Sequence, residues 1–156
     1  MTVKIGLLTI SDTRNERDDF SGQTIMQTVK EEGFIMIHYH LVKDEIPLIQ
    51  QAYLNLVNTD CEVIITNGGT GISKRDVTPE ALQPFIKREL PGFGELFRWL
   101  SFQEIGSHGM ASRACAGFNE QEQLLFLLPG SVKACQLAMK QLILPEIPHL
   151  LKERRK

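Results

Sequence analysis

The sequence has no long apolar run. The stretch Ile5 to Ile10 is ended after six residues by Ser11 and Asp12, far short of the ~20 apolar residues of a membrane span. One lysine ahead of so short a run also makes MTVKIGLLTISDTRNERDDF a poor signal peptide. A cytoplasmic protein with no membrane attachment is expected. Cysteine is scarce: Cys61, Cys115 and Cys135 are odd in number, scattered and never in a CxxC pair. That argues against a disulfide or metal framework and for unpaired thiols in a reducing compartment. Neither charge sign dominates, with 17 basic and 19 acidic residues, a net charge of −2 and a pI near 6.1. A broad nucleic-acid surface is therefore not expected, and any bound anion must be held by a local site. Repeats, low-complexity segments and linkers are missing too. With 156 residues, 42% apolar and 23% charged, the chain reads as one domain spanning 1–156, large enough to bury a substantial core.

Two common phosphate motifs are also missing. A Walker loop needs a second glycine followed by Lys-Ser/Thr, but Ser73 lies five positions after Gly68 and Lys74 five after Gly69. The dinucleotide fingerprint starts at Gly69-Thr70-Gly71, but Lys74 stands in the place of its third glycine.

What is present is an alternation of strands and helices. Val3 to Ile10 reads as a strand buried on both faces, and Ser21-Gly22 opens a helix that stops at Gly33. Phe34–Val42 and Glu62–Thr66 read as strands around a helix over Pro47–Asn58. Thr78 reads as the N-cap of a helix reaching Arg88, Leu90-Pro91-Gly92 as a break, and Glu95–Leu100 as a restart. Residues 104–122 give no clear pattern. Leu124–Leu128 reads as a short buried strand, ended by Pro129-Gly130, and Ser131 as the cap of a helix to Leu144, with Pro145 and Pro148 shaping the last turns. KERRK reads as a solvated tail. The alternation predicts an α/β fold, a mostly parallel sheet covered on both faces. Ligands of such sheets bind beyond the carboxyl ends of the strands. Ser11-Asp12, Lys43-Asp44, the loop after the third strand and the 129–131 segment should share that rim.

The loop itself, TNGGTGISKRDVTPEAL, carries Gly68, Gly69 and Gly71 within four positions. Glycines let backbone N–H groups close on an anion and adopt positive φ, and the following helix adds its positive end. The same residues could form a plain strand-to-helix turn. Asp76 and Asp44 follow the loop and the second strand. Carboxylates beside a phosphate cradle suggest Mg²⁺-dependent phosphoryl or nucleotidyl chemistry, because a cation must stand between the two anions. Asp12 is a further candidate. Asp44 reads equally as a helix N-cap, and Asp76 as a surface partner of Lys74 or Arg75. His38 and His40 share one strand face without a third ligand. Phe93, Phe97, Trp99 and Phe102 sit at helical spacing and suggest a buried or subunit-interface face.

GGTGISKRDVTPEA at 68–81, PGFGELFRWLS at 91–101, SRACAG at 112–117, LPGSVKA at 128–134 and the opening ISDTRNERDDFSG resemble the MoaB/MogA molybdopterin adenylyltransferases. FRWLSFQEIG is closest to the MoaB branch. The resemblance implies a three-layer αβα sandwich and a homotrimer or a hexamer of two trimers. It also implies transfer of AMP from Mg-ATP to the terminal phosphate of molybdopterin, with release of pyrophosphate. Gly68, Gly69, Thr70 and Gly71 match the family's nucleotide loop. Asp76 and Asp44 match its acidic positions, which would organise Mg²⁺ and the reacting phosphates, and Ser131 matches a position near the pterin pocket. Asn67 stands where relatives often carry Thr or Ser. The alternative is a catalytically silent protein of the same pathway that carries the pterin or nucleotide.

Overall fold

In the computed structural model, residues 2–156 are described. Strands β1 (Lys4–Ile10), β2 (Ile35–Val42), β3 (Val63–Asn67) and β6 (Leu124–Leu128) pair in parallel. β5 (Cys115–Phe118) runs antiparallel to β6, and the two-residue β4 (Arg88–Glu89) runs antiparallel to β5. The sheet has six strands in the order β2-β1-β3-β6-β5-β4.

Both faces of the central strands are buried, which is why β1, β3 and β6 read as continuous apolar runs rather than alternations. Odd-numbered Ile5, Leu7, Val63 and Ile65, with Leu124 and Phe126, pack against helices α1 (Phe20–Glu31) and α4 (Pro91–Ile105) and the C-terminal helical segment. That segment comprises α5 (Val132–Ala138), a wider π turn over Met139–Ile143, and α6 (Leu144–Glu153). The opposite face, with Leu8, Ile10, Ile64 and Leu125, is covered by α2 (Ile46–Val57) and the short α3 (Thr78–Leu82). The result is a three-layer αβα sandwich, as the alternation predicts.

Three local expectations need correction, and one open segment is filled. The helix from Thr78 stops at Leu82, not Arg88. A 3-10 turn over Gln83–Phe85 accommodates Pro84, and the chain then runs out to the edge as β4. Pro91 opens α4 instead of breaking a helix, since its missing N–H costs nothing in a first turn. The unclear 104–122 segment contains a 3-10 stretch, Gly106–Ala111, and then β5. The C-terminal tail is partly docked: Arg154 donates to the carbonyl of Glu122 and lies 3.3 Å from Glu62 Oε1. No helix among the described residues is long and apolar enough to cross a membrane. Cys61, Cys115 and Cys135 are all buried and unpaired.

Candidate active site

The parallel strands deliver their carboxyl ends to one rim. A cleft of about 360 Å³ there is lined by Ser11–Arg14, Asp44, Gly68–Gly71, Arg75, Asp76, Pro129 and Gly130. All four loops expected on the rim therefore meet. A larger cleft of about 510 Å³ beside α4 and α6 is mostly apolar, with Glu146 as its only ionisable lining residue. It offers an anion nothing.

The glycine loop is shaped by what happens to its carbonyls. Thr78 Oγ1 donates to Gly68 O at 2.8 Å and Thr78 N to Gly69 O at 3.1 Å. Arg113 N donates to Thr70 O at 2.8 Å, and Arg113 Nε to Gly71 O at 2.9 Å. Successive carbonyls are thus all taken by protein donors. The N–H groups of Gly69, Thr70, Gly71 and Ile72 have no protein acceptor among the described residues. Thr70 is buried and Gly69 and Gly71 are half-buried, so their donors call for a partner from outside, whereas Ile72 is exposed to water. Thr70 Oγ1 is likewise buried and unpartnered, as is Thr66 Oγ1 on the strand below.

Gly68 and Gly69 hold φ of 101° and 72°, a region most side chains avoid. A Cβ on Gly68 would collide with the carbonyl of Ile10. These two positions therefore need glycine for the backbone path itself. The plain-turn reading explains the positive φ but leaves the run of free N–H groups without a purpose.

Thr78 is not the helix cap expected from the sequence. Val77 holds that position, and the Thr78 hydroxyl straps the loop to Gly68 instead. Asp44 is not a cap either, since Glu45 precedes α2 and makes no side-chain cap bond. Asp44 Oδ2 accepts from Asp12 N at 3.0 Å, and Asp44 N donates to Asp12 Oδ1 at 2.9 Å. This exchange ties the loops after β1 and β2 together. Burial, and then the neighbouring charges of Asp12 and Asp76, push the Asp44 carboxyl above its usual range. Asp76 makes no ion pair with Lys74 or Arg75 in this structure. Its Oδ2 accepts from Ser73 N at 3.0 Å and Ser73 Oγ at 2.7 Å. Ser131 caps α5, with its Oγ accepting from Ala134 N at 3.1 Å. It is exposed at the margin, while Pro129 and Gly130 line the cleft.

The other wall rests on a buried charge that sequence reasoning missed. Asp19 is fully buried and caps α1, accepting from Gly22 N at 3.0 Å and Tyr39 Oη at 2.6 Å. Arg14 donates to Ser21 Oγ and, at 2.8 Å, to Gly130 O, and lies 3.6 Å from Asp19. Ser21 in turn donates to Asn67 Oδ1 at 2.7 Å, and Asn67 Nδ2 to Thr9 Oγ1 at 2.9 Å. Asn67 thus has both ends of its amide fixed just before the glycine loop. Arg113 was the second omission.

The donor set suits a hard divalent cation. Asp44 and Asp76 offer carboxylate oxygens to one cleft, and the Asp44 carboxyl is raised by burial first, then by the charge of Asp12 and, to a smaller extent, that of Asp76. No group of three or more His, Cys, Asp or Glu among the described residues is placed to hold a metal by itself. Mg²⁺ needs no such cage, since one or two carboxylates with substrate phosphates satisfy it. His38 and His40 lie exposed on edge strand β2 with stacked rings 6.5 Å apart and no third ligand.

Gly71 gives a test of Asp76 placement. A Cβ there would sit 2.7 Å from Asp76 Oδ2, and a carboxylate end can swing aside at little cost to the fold. Gly71→Ala should therefore shift thermal unfolding little, by less than ~1 kcal/mol, while lowering turnover about tenfold or more through the displaced carboxylate. Unfolding and rate measured on one preparation check both halves.

A three-layer α/β sandwich whose rim pairs a glycine-rich run of free N–H groups with carboxylates belongs with proteins built to receive phosphate-bearing ligands. A family model described as a probable molybdopterin binding domain matches residues 6–149. Molybdenum cofactor biosynthesis protein B of Bacillus anthracis is 47% identical over 150 residues, covering 95% of this chain and 88% of that protein. Its counterpart in Staphylococcus aureus (strain MRSA252) is 44% identical over 155 residues, covering 97% and 92%. Among solved structures, a molybdenum cofactor biosynthesis protein B superposes with a TM-score of 0.95 at 46% identity, covering 100% and 98% of the two chains. The tungsten cofactor synthesizing protein MoaB from Pyrococcus furiosus gives 0.92 at 34%, covering 99% and 98%. The chain belongs to the MoaB/MogA family of molybdenum cofactor biosynthesis.

Proposed function

We propose that this protein transfers AMP from Mg-ATP to the terminal phosphate of molybdopterin, releasing pyrophosphate. The observation that carries the reading is the set of unpartnered N–H groups of Gly69, Thr70 and Gly71 on a loop that lines the same cleft as Asp44 and Asp76. A phosphate oxygen of the pterin forms a bond to the α-phosphorus of ATP, and the bond from that phosphorus to the bridging oxygen breaks. The electron pair leaves with pyrophosphate. The attacking phosphate is already anionic, so no strong general base is needed. The task is to position two anions and offset their repulsion.

The residues divide that task. The N–H groups of the glycine loop would hold nucleotide phosphate oxygens, with the Thr70 hydroxyl as a further donor. Arg75, exposed on the rim, supplies positive charge. Asp44 and Asp76 would hold Mg²⁺, which when bound neutralises phosphate charge and activates the α-phosphorus. Arg14, fixed by Asp19, lends charge from the opposite wall. The same reading brings self-assembly. Of the aromatic stretch, Phe93 and Phe97 are buried in the core, but Trp99 and Phe102 stack 6.4 Å apart on an exposed face of α4 with Leu96 and Ile105. That face suits a subunit interface.

Purified protein given molybdopterin and Mg-ATP should release one pyrophosphate per adenylylated pterin. Tight ATP binding with no pyrophosphate, where an active homologue turns over, would instead make it a silent carrier.

A further inference from the structure

We propose that Arg113 is a positioning residue that presents the glycine loop to its anion. The inference rests on the cradle reading above and concerns how the loop holds its shape. Arg113 enters from the segment before β5 and does not line the cleft. Its backbone N–H takes Thr70 O and its Nε takes Gly71 O. Its Nη2 donates to Asp76 O at 2.7 Å, and the guanidinium pairs with Glu80 through Nη1 at 2.6 Å and Nη2 at 3.2 Å.

One side chain therefore grips the loop at Gly71, at Asp76 and, through Glu80, on α3. Turning the carbonyls of Thr70 and Gly71 backward turns the flanking N–H groups forward, because a peptide plane carries both on opposite sides. The bond to Asp76 O fixes the backbone from which the catalytic carboxylate extends. Only a planar fork does this. A lysine ammonium is a single point and cannot span two carbonyls and a carboxylate at once. The guanidinium is occupied on the loop's far side, so it acts through the loop and not on the ligand. Arg75, with no side-chain partner among the described residues, contrasts with it on the cleft side.

The test compares wild type with Arg113→Lys, Arg113→Gln and Glu80→Gln. ATP with Mg²⁺ and inorganic triphosphate are titrated by calorimetry, and thermal unfolding is recorded on the same samples. Arg113→Lys should weaken both ligands about tenfold or more per folded molecule. The KM for ATP should rise while the KM for molybdopterin stays put. Arg113→Gln loses the charge, the fork and part of the reach, and should weaken both ligands at least as much as lysine does. Glu80→Gln keeps every bond from Arg113 to the loop backbone, so it should stay within about threefold of wild type. Folded Arg113→Lys and Arg113→Gln proteins that bind both ligands as wild type does would overturn the role of Arg113 alone. So would losses explained wholly by the unfolded fraction. Wild-type protein that binds neither probe would overturn the cradle itself, and the role of Arg113 with it.

Discussion

Asp44→Asn should lower adenylyl transfer by at least ~10²-fold while leaving the ligand-free protein as stable as before, or more so. The two effects come from one cause. Burial raises the Asp44 carboxyl above its ordinary pKa, and Asp12 and Asp76 add like-charge repulsion. A carboxyl raised in this way contributes stability that is fully present below its unfolded pKa and is lost as pH rises through its folded pKa. At neutral pH the ionised Asp44 is therefore a cost to the empty protein, one that a bound cation would relieve. Asparagine removes the charge and keeps an oxygen able to accept from Asp12 N, so the tie between the β1 and β2 loops survives. The thermal advantage of the variant should shrink as pH falls through the folded pKa of Asp44 toward its unfolded value. Added Mg²⁺ with ATP should raise the unfolding temperature of wild type and not of the variant. Near-normal turnover in Asp44→Asn would remove this carboxylate from the reaction.

What could be read in the sequence was whatever is local or periodic. Doubly apolar runs such as Ile5–Ile10 and Leu124–Leu128 mark strands covered on both faces, and Gly68-Gly69 marks a backbone path closed to side chains. Parallel topology then brings four loops to one rim without any contact being known. What failed depends on partners distant in sequence. Thr78 looks like a cap because capping is a local rule, yet a carbonyl ten residues back, Gly68 O, takes its hydroxyl. Asp19 lies in the polar stretch SDTRNERDDF, where nothing local marks it for burial. It is buried because Tyr39 reaches it from β2 and Arg14 folds back onto it from the same loop. Arg113 was visible only within SRACAG as part of a family pattern. Its function follows from the antiparallel return of β5, which local propensity does not encode.

Gly69→Val should damage both ligand binding and stability, and the structure alters how it must be read. From sequence, valine would occupy phosphate space, so binding and stability could be separated cleanly. In the structure a Cβ at Gly69 would collide with Thr78 Oγ1 and sit 3.1 Å from Asp44 Oδ1. The substitution would thus push on the hydroxyl that straps Gly68 and on the Asp44 carboxylate proposed to hold Mg²⁺. It would also force a β-branched residue into φ 72°. Stability should fall by ~2–4 kcal/mol, from backbone strain together with the broken strap. ATP affinity should fall at least ~10²-fold per folded molecule, because the backbone carrying the N–H groups of 69–71 is displaced. Thr78→Val separates the contributions. It removes the strap but leaves Gly69 and its amide in place, so it should cost ~1 kcal/mol of stability and a much smaller share of affinity. Unfolding curves and ATP titrations at a temperature where all three proteins are folded give the comparison. A folded Gly69→Val protein that titrates ATP like wild type would sink the cradle, and with it the proposal that this rim adenylylates a pterin phosphate.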